Sequence, residues 1–106
     1  MSALKVTNLL TNVLTGSGAA TPLNGSSHFA VFVKWPTGTS AGSVILECAS
    51  DANYAGTWSN LTTLTWAAAN SQDSWRGTGP FGAIRARIGT TVVSTADGVS
   101  VDMWEN

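Results

Sequence analysis

The side chains able to do chemistry in this sequence are few. It holds one histidine, His28, one cysteine, Cys48, and six carboxylates, at Glu47, Asp51, Asp73, Asp97, Asp102 and Glu105. A nucleophilic site needs a nucleophile, a base and an orienting group within hydrogen-bond reach of one another, and this inventory leaves no redundancy for building one. His28 opens an alternating run beside Phe29, where a surface or interface role is expected. Cys48 shares a strand face with Val44 and Leu46, which predicts a buried, unreactive thiol, and a lone cysteine forms no internal bridge. No Cys and His cluster has zinc spacing, and Asp51-Ala-Asn53 lacks the further carboxylates of a calcium loop. These residues predict a non-enzymatic chain without metal or cofactor.

The five tryptophans are the other candidates, because aromatic rings on a sheet face can stack sugar rings. Trp35, Trp66 and Trp104 are positioned for this by sequence. Trp104 falls on the outward side of its strand if Val101 and Met103 face in, so it is exposed or covered by a partner. Core and edge packing is the leading expectation for most of these rings, with interface contact second and sugar binding third.

The elements that must carry these residues read as strands. The 106-residue chain breaks every 8 to 15 residues at Gly, Asn, Ser or Pro clusters with β-branched residues between them, the spacing of an all-β domain. Residues 28–35 put Phe29, Val31, Val33 and Trp35 on one face and Ala30, Phe32 and Lys34 on the other. Pro36 and Gly38 stop that strand. After Thr37-Gly-Thr-Ser-Ala-Gly42, residues 43–49 alternate Val44, Leu46 and Cys48 against Ile45, Glu47 and Ala49, which suggests the second arm of a hairpin. Ser50 to Thr57 is turn chemistry, Trp58 resumes the core, and Leu61–Trp66 makes another strand. Ile84, Ala86 and Ile88 alternate with Ala83, Arg85 and Arg87; Val99, Val101 and Met103 alternate with Ser100, Asp102 and Trp104. For Arg85, Arg87 and Asp102 a solvated polar face is the leading expectation, with charge pairing across the sheet second.

Residues 1–27 are ambiguous, since Leu9, Leu10, Val13 and Leu14 have helical spacing but alternate with Thr and Asn, which are poor in helix interiors. Strands are favoured there. Residues 67–80 read as the longest loop. The expected fold is a single antiparallel β-sandwich over residues 1–106, jelly-roll-like, of seven or eight short strands, with residues 1–14 an arm or edge strand used in assembly. Its predicted core is Phe29, Val31, Val33, Val44, Leu46, Cys48, Trp58, Ile84, Ile88, Val99 and Val101. Its predicted interface is Leu4, Val6, Leu9, Leu10 and Trp104.

Composition narrows the partners. Charged residues are 10% of the chain, against ~25% in ordinary soluble domains, while Ser and Thr together number 26. Lys5, Lys34, Arg76, Arg85 and Arg87 are scattered, so no basic stripe exists to neutralise a nucleic-acid backbone. The first twenty residues lack a charged stretch followed by an apolar one, and no apolar run approaches the ~20 residues that span a bilayer, so neither secretion by a standard signal nor a membrane partner is expected. The sequons at Asn24-Gly-Ser26 and Asn60-Leu-Thr62 then read as chance. A weakly charged surface gives little colloidal repulsion and suits a protein covered by neighbours.

The order of segments carries a resemblance. Gly42-Ser-Val-Ile-Leu-Glu-Cys-Ala-Ser-Asp51, then Gly56-Thr-Trp58, Leu61-Thr-Thr-Leu64, Gly79-Pro-Phe-Gly-Ala-Ile-Arg-Ala-Arg-Ile88 and Gly98-Val-Ser-Val101 resembles small tailed-phage virion proteins of β-sandwich type, most like capsid decoration or cement proteins. The departures are a longer turn at Asp51-Ala-Asn-Tyr-Ala-Gly56 and the extra Trp75. The resemblance implies a non-enzymatic structural protein of a bacteriophage, made in the host cytoplasm and bound to the outer capsid surface of the virion. Its implied partner is the major capsid protein, which it bridges as a homo-oligomer, a trimer or a dimer. A tail or baseplate component and a glycan-binding module are the alternatives.

Overall fold

The computed structural model describes residues 5–23, 28–67, 71–78, 82–95 and 97–105. Of the sequence-predicted residues, Leu4 lies outside these, as do Gly79, Pro80 and Phe81 of the resemblance motif. The chain forms eight strands: β1 (Lys5–Val13), β2 (Thr21–Pro22), β3 (His28–Lys34), β4 (Ser43–Ala49), β5 (Ser59–Thr65), β6 (Gln72–Thr78), β7 (Ala83–Ile88) and β8 (Val99–Glu105). They build two four-stranded sheets of order β1-β8-β3-β6 and β2-β7-β4-β5, antiparallel at every pairing. All-β sandwich architecture is therefore established, and the strand order is that of an eight-stranded jelly roll.

The core lies between the sheets and follows the alternation of the chain. In β3 the residues Phe29, Val31 and Val33 are buried and the residues between them are not. Val44 and Leu46 of β4, Ile84, Ala86 and Ile88 of β7, and Val99, Val101 and Met103 of β8 complete the facing layers, with Trp35 and Val92 closing one end. β-Branched side chains pack well on such pleated, half-buried surfaces.

Four expectations are corrected. Residues 28–35 and 43–49 do not form a hairpin: β3 and β4 belong to different sheets. The segment after Pro36 crosses the end of the sandwich, with Gly38 at φ 75° and Thr39 Oγ1 donating to the Pro36 carbonyl at 2.6 Å. Residues 67–80 do not form a single long loop, because Gln72–Thr78 is strand β6, paired along the whole of β3. Its sequence, with Asp, Ser and Gly between Gln and Thr, has no apolar alternation, yet at a sheet edge it needs little.

The third correction concerns Leu9 and Leu10, expected at an interface. Both are buried in the core. Register shifts between Asn8 and Leu10 and between Leu10 and Val13 break the β1–β8 ladder, so consecutive leucines reach the same interior. Asn12 takes φ 49° at the second irregularity, where its Oδ1 accepts from the Gly98 amide at 2.6 Å. That geometry explains the helix-like spacing of apolar residues in a segment that is a doubly bulged edge strand. Fourth, Cys48 is half-buried and packs against the margin of the core; desolvation still raises its thiol above the ordinary value.

Close backbone approaches hold the crossovers. Gly18 donates its amide to the Ala86 carbonyl at 2.8 Å, and a Cβ there would stand 1.8 Å from the Leu9 oxygen. Gly82 donates to the Ala49 carbonyl at 3.1 Å, and a Cβ would lie 1.6 Å from the Ser50 oxygen. No side chain fits at either position.

Candidate binding face

The outward side chains of the first sheet line up in three cross-strand rows. Val6, Trp104, Ala30 and Arg76 form one, Asn8, Asp102, Phe32 and Ser74 the next, and Ser100, Lys34 and Gln72 the third. Small neighbours shape this face: the Ala30 methyl beside Trp104 is too short to cover an indole, and Ser74 beside Phe32 is equally short. A groove of about 450 Å³ results, lined by Phe32, Lys34, Gln72, Asp102 and Trp104. Trp104 is 41% exposed, which places it outward as its strand alternation predicts.

The bulge that buries Leu9 and Leu10 also orients the groove's carboxylate. Asn8 Nδ2 donates to the Leu10 carbonyl at 3.0 Å and to Asp102 Oδ1 at 2.9 Å, while Asn8 Oδ1 accepts from the Thr11 hydroxyl. The amide is thus held on both sides, and it holds Asp102 in turn. No donor among the described residues bonds Asp102 Oδ2. A second depression of about 450 Å³ shares Lys34 with the groove and is lined also by Ser100, Thr37 and Asp97.

The other tryptophans pack largely against the protein. Trp35 belongs to the core cluster, and with Trp66 it lines a small depression beside Pro36 and Thr37. Trp66 and Trp75 pack against the core from its margins, and the Trp75 and Phe29 rings lie tilted with centroids 5.7 Å apart. Trp58 is buried: Arg85 stacks over its ring at 4.5 Å, and its indole N–H donates to the Tyr54 carbonyl. The remaining predicted core residues, Phe29, Val31, Val33, Val44, Leu46, Ile84, Ile88, Val99 and Val101, are buried.

Arg85 and Arg87 do not pair with Asp102, which sits in the opposite sheet. Their partner is Glu47 of the adjacent β4, whose two oxygens each accept a guanidinium Nε–H at 2.9 Å, Oε1 from Arg85 and Oε2 from Arg87. Burial alone would raise the Glu47 pKa, but hydrogen bonds and charge from Arg87 and Arg85 outweigh it and hold the carboxyl below its ordinary value. One carboxylate serves two guanidinium groups, which leaves a net positive charge and ties β4 to β7 across the outer face of their sheet.

The catalytic candidates are not organised around one another. His28 opens β3 in the first sheet and Cys48 lies in β4 of the second. Among the described residues, no three His, Cys, Asp or Glu side chains are grouped to hold a metal ion, and no helix is long and apolar enough to cross a membrane. Compared with known proteins, the chain matches no family model, and no curated protein or solved structure shows significant similarity to it.

Sequence reasoning missed Phe32, Lys34, Gln72 and Asp102 as a set. Strand alternation places the first two and the last outward, and that signal was present. What alternation lacks is which strands lie side by side, and Gln72 falls on a strand read as loop.

Proposed function

We propose that this protein is a non-enzymatic virion component of a tailed phage, a decoration or cement protein that binds the outer surface of the head and bridges neighbouring capsomers of the major capsid protein as a homo-oligomer. The observation that carries the reading is an exposed apolar pair formed by an edge strand and its neighbour. Val6 is 50% and Trp104 41% exposed, they face one another across the β1–β8 register, and β1 ends its sheet. An unpaired strand edge flanked by an anchor aromatic is suited to being covered by another subunit. Support also comes from the jelly-roll order, an architecture used by viral capsid domains, which is an argument from fold analogy, and from the low surface charge.

Such a protein acts by mass action and by bridging. Contacts made only on the assembled shell stabilise it in proportion to occupancy, and opening the shell under internal pressure must break them. The aromatic anchor is the natural centre of that contact.

The test uses heads lacking this protein, reloaded with the purified chain. Wild type is expected to bind saturably and to raise the temperature of DNA release. Val6→Asp, which places a charge in the apolar pair, is expected to lower occupancy without changing the urea midpoint of the free protein. Saturable binding that leaves head stability unchanged, or full occupancy by Val6→Asp, counts against the reading.

A further inference from the structure

We infer that the groove on the outer face of the first sheet, between Trp104 and Lys34, binds a neutral oligosaccharide. The site needs a ligand with an apolar face and a polar rim. Trp104 and Phe32 supply aromatic surface whose negative π-face attracts C–H groups as well as excluding water, and the axial C–H side of a pyranose ring matches it. Around these rings stand an acceptor, Asp102 Oδ2, a donor, Lys34 Nζ, and the Gln72 amide, which does both. Sugar hydroxyls donate and accept, so they satisfy all three.

Charge decides against other ligands. The groove lining holds one anion, Asp102, and one cation, Lys34, and the adjoining depression adds a single anion, Asp97, so neither sign is dense enough to select a polyanion or a polycation. Burial under a purely apolar partner surface would strip water from Asp102 and Lys34 without replacing it, which is costly. A saccharide replaces that water with hydroxyls. The volume, about 450 Å³, lies inside the usual range of small-ligand sites, roughly 300–1,000 Å³. The adjoining depression beyond Lys34, with Thr37, Asp97 and Ser100, extends the surface along the sheet and favours a chain of sugar units over a single one.

The site is also held in place before binding. Asn8 bonds Asp102 and is itself fixed by the Leu10 carbonyl and the Thr11 hydroxyl, and the aromatic residues stand on paired central strands. Preorganisation of this kind reduces the ordering cost of binding. Trp104 is shared with the docking reading, whereas Val6 and the β1 edge are outside the groove lining, so Val6→Asp tests docking apart from sugar binding.

The full chain is tested on an array of neutral and acidic oligosaccharides, followed by calorimetric titration with the strongest neutral binder. Saturable binding of a neutral oligosaccharide is expected, weakened about tenfold or more by Trp104→Ala or Phe32→Ala, and unchanged by Val6→Asp. Should either aromatic variant unfold, amide chemical-shift changes in the wild-type chain provide the readout, with residues 30–34, 72–76 and 100–104 expected to move. Absence of neutral binders, binding confined to acidic glycans, retention of affinity in Trp104→Ala, or shifts centred elsewhere overturns the inference. Loss of head binding by Val6→Asp with sugar binding intact separates this site from the docking reading.

Discussion

The indole N–H of Trp35 donates to Asp73 Oδ2 at 2.7 Å, joining the residue that follows β3 to the start of β6. Trp35 is buried, so its N–H has lost water and requires an acceptor. Asp73 lies in the segment without apolar alternation, and its carboxylate ties that edge strand to the core. Asp73→Ala removes the acceptor and should cost about 1–3 kcal/mol. Asp73→Asn retains an acceptor oxygen and should cost less. Urea midpoints of the two variants check the order, and equal loss would mean that the charge, rather than the bond, matters.

Glu47 makes stability depend on pH in a defined direction. Its folded pKa is held below its unfolded value by Arg87 and Arg85 against the opposing effect of burial. The unfolded chain therefore binds the proton first as pH falls, and the stabilisation is present above the ordinary carboxylate range and is lost as pH drops through the folded value. Wild type should lose stability on acidification more steeply than Glu47→Gln across that range. Parallel pH profiles of the urea midpoint would contradict it.

Ile84 and Arg85 are neighbours in β7 with opposite surroundings. Ile84 is wholly buried, and alanine there should cost about 2–5 kcal/mol through lost transfer energy and the cavity left behind. Arg85 is half-buried and serves Glu47 and Trp58 from the outer face. Arg85→Ala should therefore cost less, about 1–2 kcal/mol, since a hydrogen bond to a partly solvated guanidinium is lost. The reverse order would mean that the strand presents the other face to the core.

Gly82→Ala should be among the most damaging single changes in the chain. The added methyl would stand 1.6 Å from the Ser50 carbonyl oxygen, and the obstacle is backbone, which cannot rotate away. Adjusting it would also strain the hydrogen bonds that the Gly82 amide donates to the Ala49 carbonyl and the Gly82 carbonyl accepts from the Leu23 amide. Loss of most soluble folded protein, or a fall of more than about 3 kcal/mol in stability, is expected. A thermal scan showing near wild-type behaviour would exclude this packing.

Cys48 should react slowly in the folded state. Desolvation raises its pKa, so little thiolate exists at neutral pH, and its half-buried position limits access. A thiol reagent should label the native chain more slowly than the urea-unfolded chain at the same pH. Equal rates would show that this end of β4 opens freely.

The sequence by itself determined the secondary-structure class and the two faces of β3, β4, β7 and β8, because a period of two is a property of the local chain. It also placed the Asp51 turn, where the carboxylate accepts from the Asn53 amide at 2.8 Å. Only the tertiary structure decided which strands are neighbours. Crossing between sheets after Pro36 placed Glu47 between Arg85 and Arg87 and sent Asp102 to the other sheet. The bulges of β1 broke its alternation, so Leu9 and Leu10 resembled exposed anchors although both are core. Strand β6 has no apolar signal of its own and forms because β3 offers it a ladder. The groove at Trp104 follows from the same cause: its residues come from three strands distant in sequence, and their adjacency depends on long-range pairing that local propensity does not encode.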